Sequence, residues 1–165
     1  MVSDQIASRA NLVISEIMYN PPNPSAEELE NGYDDADFFE YLELLNIGEE
    51  PLSLAGLQFI SGLKFEFSGA TISRLEPGER GLLVRDAVAF VFRYGGDAAA
   101  RIIGEFTDDA GLANGGERLA LIAADQSTVQ DSATGPIPHG RKPLTVTGPV
   151  WFWLIRSAVR ITIWH

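Results

Sequence analysis

Cysteine is absent from this 165-residue chain, and histidine is rare. The absence of cysteine excludes disulfides, zinc–thiolate sites and thiol catalysis. The two histidines, His139 and His165, lie near the C-terminus, and no Gly-x-Ser-x-Gly motif accompanies them, so nothing indicates a serine nucleophile. The glycines at 111–116 lack the spacing and the lysine of a P-loop. The sequence therefore offers no motif for nucleophilic catalysis or phosphate binding.

Basic residues and long apolar runs are also scarce. Twelve Lys and Arg stand against 23 Asp and Glu, for a net charge of −11. Because affinity for nucleic acid comes from clustered basic residues, we expect no nucleic-acid partner. The most apolar segment, residues 150–155, is too short to span a bilayer. The first residues lack the basic start and apolar run of a signal peptide, so we expect neither a membrane span nor a signal peptide.

The chain consists mainly of short strand patterns separated by turn residues. The longest, residues 37–46, is aromatic or aliphatic on both parities, which predicts a central strand covered on both faces. Further strands are predicted at 12–19, 52–54, 56–60, 63–67, 80–85, 102–106, 117–123 and 127–130. A long acidic loop is predicted between the first strand and the central one. One helix is predicted at 87–94, begun by Asp86 and ended by Gly95. With no βαβ rhythm, this pattern predicts an all-β antiparallel sandwich.

Five short motifs occur in a fixed order over residues 12–130. They are Ile14-x-Glu16-Ile17-Met18-Tyr19-Asn20-Pro21, Glu40-Tyr41-Leu42-Glu43-Leu44-x-Asn46, Leu52-x-Leu54-x-Gly56-Leu57, Leu75-x-Pro77-Gly78-Glu79 and Asn114-Gly115-Gly116-Glu117-x-Leu119-x-Leu121. In this order they resemble the lamin tail domain family in its bacterial form. Tyr41 stands where the family often has Trp.

The resemblance implies an immunoglobulin-like β-sandwich that acts as a non-enzymatic module. Such modules are often parts of large exported or surface proteins in bacteria, and they form the tail of nuclear lamins in animals. The resemblance therefore favours an extracellular or cell-surface location. It predicts an interaction or spacer role with a protein or a surface polymer as ligand, and no cofactor.

Three glutamates keep an enzymatic alternative open. Glu16, Glu40 and Glu43 come from two strands that we expect to be neighbours, and a pair of carboxylates can act as acid and base on a glycan. The alternative function is a carbohydrate-active hydrolase using Glu40 or Glu43. The competing interpretation, which we favour, is that these side chains end strands and bond to backbone or arginine.

Acidic loops also raise the possibility of a calcium site. Hard oxygen ligands occur at Asp34, Asp35 and Asp37, and again at Asp108, Asp109 and Asn114. Neither group matches the EF-hand loop, and acidic loops are usually just solvated. We therefore expect no specific metal site, with these six residues as the candidates if one exists.

The chain changes character after residue 131. All 23 acidic residues and eight of the twelve basic ones lie in residues 1–131, which carry −15, whereas residues 132–165 carry +4. We therefore divide the chain into an N-terminal extension (1–11), a lamin-tail-like sandwich (12–131) and an aberrant tail (132–165). The lamin tail family would instead continue with an aromatic strand, a Pro-Trp pair, an Ala-Asp-Gly-x-Gly turn and a last Leu-x-Leu strand.

The genetic code suggests an origin for this tail. If the third base of each codon is read with the first two bases of the next, Trp151-Phe152 becomes Val, Phe152-Trp153 becomes Leu, and Pro138-His139-Gly140 permits Pro-Trp. Residues 144–150 permit Asp-Gly-Asp-Gly-Ser-Gly in that frame. We hypothesise a frameshift near Gln130-Asp131, which would open one edge of the sandwich and leave a third possibility, a truncated remnant without a function of its own.

Overall fold

The protein is described here from a computed structural model, which covers residues 4–107, Leu112, residues 118–133 and the backbone of Arg160–Ile161. Its strands are β1 (Gln5–Ile6), β2 (Leu12–Met18), β3 (Tyr41–Asn46), β4 (Leu52–Ser53), β5 (Gln58–Ser61), β6 (Phe65–Glu66), β7 (Arg74–Leu75), β8 (Arg80–Val84), β9 (Ile102–Glu105), β10 (Arg118–Ile122), β11 (Thr128–Ala133) and β12 (Arg160–Ile161). Its α-helices are α1 (Ala26–Glu30), α2 (Ala87–Tyr94) and α3 (Gly96–Ala99), and 3₁₀ helices form at Ala36–Phe39 and Phe67–Gly69.

Three sheets make up the fold. A five-stranded sheet has the order β12-β2-β3-β8-β9, a four-stranded sheet has the order β11-β10-β5-β6, and a small third sheet has the order β1-β4-β7. Most neighbours are antiparallel, while β1 with β4, β8 with β9, and β2 with β12 are parallel. The predicted all-β, immunoglobulin-like sandwich is confirmed.

The main core lies between the larger sheets. Leu42 and Leu44 of β3 are fully buried in one cluster with Phe59 of β5 and Leu121 of β10. On the opposite face of the five-stranded sheet, a second cluster joins Leu82 to residues of α2 and α3. The predicted central strand is therefore confirmed for residues 41–46, since β3 is the third of five strands and both of its faces are covered.

The prediction that the central strand begins at residue 37 is wrong, because β3 begins at Tyr41. Ala36–Phe39 form a 3₁₀ helix because the Asp35 side chain accepts a hydrogen bond from the Asp37 backbone N–H at 3.0 Å. Such a bond between a side chain and the local backbone competes with strand formation. Phe39 remains fully buried, so its apolar character reports burial and not a strand.

The predicted acidic loop contains a helix that the sequence analysis missed. α1 begins at a capping box, in which the Glu28 N–H donates to Ser25 Oγ at 3.3 Å and the Ser25 N–H donates to Glu28 Oε2 at 2.7 Å. Ser-x-x-Glu is a known signature of a helix start, so the sequence carried a signal that could have found α1. The predicted α2 is confirmed, with Asp86 Oδ1 accepting from the Ala89 N–H at 2.8 Å and Gly95 ending it at φ 90°.

Strand residues occur on both sides of the predicted sandwich limits, residues 12 and 131. Gln5–Ile6, assigned to the N-terminal extension, pair with β4, and Ala7 is buried. At the other end β11 continues to Ala133, and Arg160–Ile161 pair with Glu16 and Ile17 of β2. Residues 134–159 and 162–165 lie outside the described residues, so the domain limits and the aberrant tail stay predictions. In the described part of the chain, no helix is long and apolar enough to cross a membrane.

Candidate functional site

Two of the three candidate glutamates meet on the outer face of the five-stranded sheet. Glu16 and Glu43 are register partners on β2 and β3. Glu43 is 8% exposed and accepts hydrogen bonds from Ser15 Oγ at 2.7 Å, Arg80 Nε at 3.1 Å and Arg101 Nη1 at 3.4 Å. The carboxylate of Glu43 is thus compensated by two cations.

Glu16 makes a different contact on the same face. It accepts a hydrogen bond from the Tyr41 hydroxyl at 2.9 Å. Burial, and then this bond to a carboxylate, raise the pKa of Tyr41 well above its ordinary value, so the phenol stays protonated and acts as a donor. Tyr41 is also packed against Phe90 and Tyr94 of α2, with ring centroids 5.4 and 5.7 Å away.

The third candidate, Glu40, is held elsewhere. It lies at the end of the 3₁₀ helix, is 1% exposed, and accepts a hydrogen bond from the Leu112 N–H at 2.9 Å. This donor lies on a different segment of the chain from the donors to Glu43, which are Ser15, Arg80 and Arg101. From the sequence we favoured a role for these glutamates as acceptors from backbone or arginine. Glu43, which accepts from two arginines, and Glu40, which accepts from a backbone N–H, make contacts of this kind.

The first group of calcium candidates lies on the segment before β3. Asp34 and Asp35 are exposed, and Asp35 caps the 3₁₀ helix through the Asp37 N–H. Desolvation, and then the charge of Asp35, raise the pKa of Asp37, while Arg85 opposes the shift. Among the residues that the structure describes, no three His, Asp or Glu side chains are placed to hold a metal ion. Asp108, Asp109 and Asn114 lie outside those residues, so their part of the calcium hypothesis is untested.

A buried ion pair that the sequence analysis did not anticipate ties α1 to α2. Arg93 donates from Nε to Glu28 Oε1 at 2.7 Å and from Nη2 to Glu28 Oε2 at 2.8 Å, and its Nη1 donates to the Pro22 carbonyl at 3.0 Å. The Arg93 guanidinium also lies 3.3 Å from the centroid of the Phe39 ring, a cation–π contact. The hydrogen bonds from Arg93, and after them those from Ser25, lower the pKa of Glu28 to about 2.

An aromatic surface adjoins this ion pair. The Tyr33 ring lies 5.4 Å from that of Phe92, 5.9 Å from that of Phe39 and 6.2 Å from that of Phe38. Phe92 is 39% exposed, and Val88, one turn earlier on α2, is 70% exposed. We call Tyr33, Phe38, Val88 and Phe92 the α2 surface.

Comparison with known families identifies the family of this chain. The sequence model of the Lamin Tail Domain family matches residues 5–135. The chain belongs to the lamin tail domain family. That family is one of immunoglobulin-like, non-catalytic modules. Comparison with curated proteins found no match.

In this lamin tail domain, the motif residue Asn46 has a structural role. Its side chain is fully buried, and its Nδ2 donates to the carbonyls of Glu50 and Leu75, each at 3.0 Å. Its Oδ1 accepts from the Gly48 N–H at 2.8 Å. Asn46 thus fixes the turn after β3 and the end of β7 at once.

The Pro-Gly-Glu motif of the lamin tail domain forms a tight turn. Gly78 has φ 76°, which a residue without a side chain adopts at least cost, and its N–H donates to the Asn46 carbonyl at 2.9 Å. The Glu79 carbonyl in turn accepts from the Asn46 N–H at 3.1 Å. The motif residues Asn46 and Gly78 therefore build the scaffold, and no residue of the α2 surface belongs to a family motif.

Proposed function

We propose that this lamin tail domain is a non-catalytic interaction or spacer module, that it is part of a larger exported or cell-surface protein, and that its ligand is a protein or a surface polymer. The observation that carries the binding role is the α2 surface. Two of the six large apolar side chains that stand out as exposed among the described residues, Val88 and Phe92, belong to this surface. Clustered exposed apolar groups on a stable scaffold mark interaction sites.

The contacts of the carboxylates support the non-catalytic part of the proposal. Glu43 is occupied by Ser15, Arg80 and Arg101, and Glu40 accepts from the backbone of Leu112. A general acid must reach the substrate with its carboxyl group, whereas both of these side chains are buried and bonded within the fold. The alternative, a hydrolase using Glu40 or Glu43, therefore has little support in this geometry. The exported or surface location rests on the family resemblance alone.

Two measurements on the full chain test the proposal. In the first, the chain is incubated with chromogenic glycosides and polymeric glycans, and new reducing ends are measured. We expect no hydrolysis; hydrolysis that Glu43→Gln or Glu40→Gln abolishes in a folded variant would establish the enzymatic alternative.

In the second, immobilised peptides and polysaccharides are screened for binding. We expect Phe92→Ser to lose a ligand that Ile60→Ser retains, since Ile60 is 57% exposed but lies on β5, in the other large sheet. Ligand binding that survives Phe92→Ser would show that the α2 surface is not the binding site.

A further inference from the structure

α2 is apolar on the side that faces away from the sheet. Seven of its eight residues, AVAFVFRY, are apolar or aromatic. Ala89 and Phe90 are buried toward the sheet, whereas Val88 and Phe92, four residues apart, are exposed. A helix that is apolar all round is normally buried. The outer face of α2 therefore has the composition of an interface.

Arg93 is the one charged residue of α2, and its side chain is bonded within the fold and does not form part of the exposed outer face. Arg93 is 12% exposed and is engaged by Glu28, the Pro22 carbonyl and the Phe39 ring. These contacts fix α1 and the segment after it against α2, which places Tyr33 beside Phe92. Because the surface is already ordered, the module loses little conformational freedom when a partner binds.

The segment beside the α2 surface is strongly acidic. Residues 20–40 contain seven Asp and Glu and no Lys or Arg. Glu27, Glu30, Asp34 and Asp35 of this segment are exposed, and the last two directly follow Tyr33 in the chain. Burial raises the pKa of Asp37 most, the charge of Asp35 adds to the rise, and Arg85 opposes it.

We propose that the α2 surface docks a basic amphipathic segment of another protein. Apolar or aromatic side chains of that segment would cover Val88 and Phe92, while its Lys and Arg would face the acidic residues after α1. Docking of an amphipathic helix through an apolar face is a recurrent recognition mode, and complementary charge adds association rate and specificity. This inference rests on the proposed function and deepens it by naming the chemistry of the partner.

The test uses the full chain and two labelled synthetic peptides. One is a helical peptide with a Leu and Trp stripe and Lys at its other positions, and the second replaces each Lys by Glu. Fluorescence anisotropy at low and high salt gives their affinities. We expect the Lys peptide alone to bind, more weakly at high salt because exposed charges are screened.

The variants locate the contact. Phe92→Ser and Val88→Ser should each weaken binding of the Lys peptide about tenfold or more, as truncation of a central apolar anchor does. Ile60→Ser is the matched control and should bind as the unaltered chain does. Far-UV circular dichroism of each variant shows that a loss of binding is not a loss of fold.

Four results would overturn the inference. Equal binding of the Glu peptide would show that charge does not select the partner. Equal effects of Phe92→Ser and Ile60→Ser would show that the α2 surface is not the binding site. Self-association that Phe92→Ser abolishes in sedimentation would make a second copy the occupant. If the Lys peptide fails while a ligand from the screen above still depends on Phe92, the partner class is wrong and the interaction module stands.

Discussion

Arg93 of α2 donates two hydrogen bonds, of 2.7 and 2.8 Å, to Glu28 of α1 across 65 residues of sequence. The two side chains are 12% and 8% exposed, so the pair is largely removed from water. Removing one member of such a pair leaves the other charge buried without compensation, which costs more than losing a surface ion pair. The pair therefore helps to hold the segment carrying α1 against α2.

The Glu28–Arg93 pair predicts a specific dependence of stability on pH. Glu28 has a pKa of about 2 in the folded protein against an ordinary 4.5. A lowered folded pKa stabilises the protein fully above the unfolded pKa, and this contribution is lost as the pH falls from about 4.5 to about 2. Glu28→Gln should lower the free energy of unfolding at pH 7 by about 3 kcal/mol and should remove most of this acid dependence.

Urea unfolding followed by circular dichroism between pH 7 and pH 2 measures both effects. Glu27→Gln is the matched control, because Glu27 is the neighbouring residue on α1 and is exposed. If the control lost as much stability as Glu28→Gln, or if both variants kept the acid dependence of the unaltered chain, the structural role of the pair would be refuted.

Asn46 predicts a stability effect without a change in charge. Asn46→Ala removes two donors and one acceptor from a fully buried site and leaves the Leu75 carbonyl without that donor. Each unsatisfied buried polar group costs about 1–3 kcal/mol, so we expect a loss of roughly 2–4 kcal/mol in the free energy of unfolding. Asn23→Ala, at an exposed position, should change it little. Similar urea midpoints for the two variants would contradict this role of Asn46.

The cluster around Glu43 predicts energetic coupling. Arg80 and Arg101 each contact Glu43 but are 49% and 45% exposed, so solvent weakens each pair. We expect the double change Arg80→Gln and Arg101→Gln to lower the free energy of unfolding of the unaltered chain. This loss should be about 1 kcal/mol larger than the loss in a chain that already carries Glu43→Gln. The reason is that, when Glu43 is present, removing both arginine charges leaves its carboxylate beside Glu16 without either cation.

A double-mutant cycle of urea unfolding measures this coupling. Arg74→Gln serves as the control, since Arg74 is 46% exposed and pairs with Asp4 and Glu76 instead. Its effect should be the same in both backgrounds. Additive effects of the Arg80 and Arg101 changes would show that Glu43 does not depend on them.

The hypothesis about the tail predicts a nucleotide sequence. If a frameshift begins near Gln130-Asp131, the coding DNA read in the other frame should give the Pro-Trp pair, the Asp-Gly turn and the apolar last strand of the family in that order. Sequencing the coding DNA and its flanks tests this directly. Nucleotides that forbid those readings would reject the hypothesis.

Local signals were enough to predict several elements. The helix at 87–94 has a capping Asp and a terminating Gly at its ends, and both act within one turn of the backbone. The turn at Gly78 follows in the same way from a residue that tolerates positive φ. α1 was missed although Ser25-x-x-Glu28 is also a local signal, because the high acidic content of the segment was taken to mean a loop. The error at Asp37–Phe39 arose because apolar side chains alone do not distinguish a buried turn from a strand.

By itself, the sequence determined the all-β sandwich, the central position of β3 and membership of the lamin tail domain family, since strand periodicity, turn residues and motif order can be read directly along the chain. Only the tertiary structure decided that Glu28 would pair with Arg93, that Glu16 would lie opposite Glu43, and that the outer face of α2 would stay exposed. These relations depend on strand register and on contacts between residues far apart in the chain, where the energy of an interaction belongs to the packed arrangement and to no single segment.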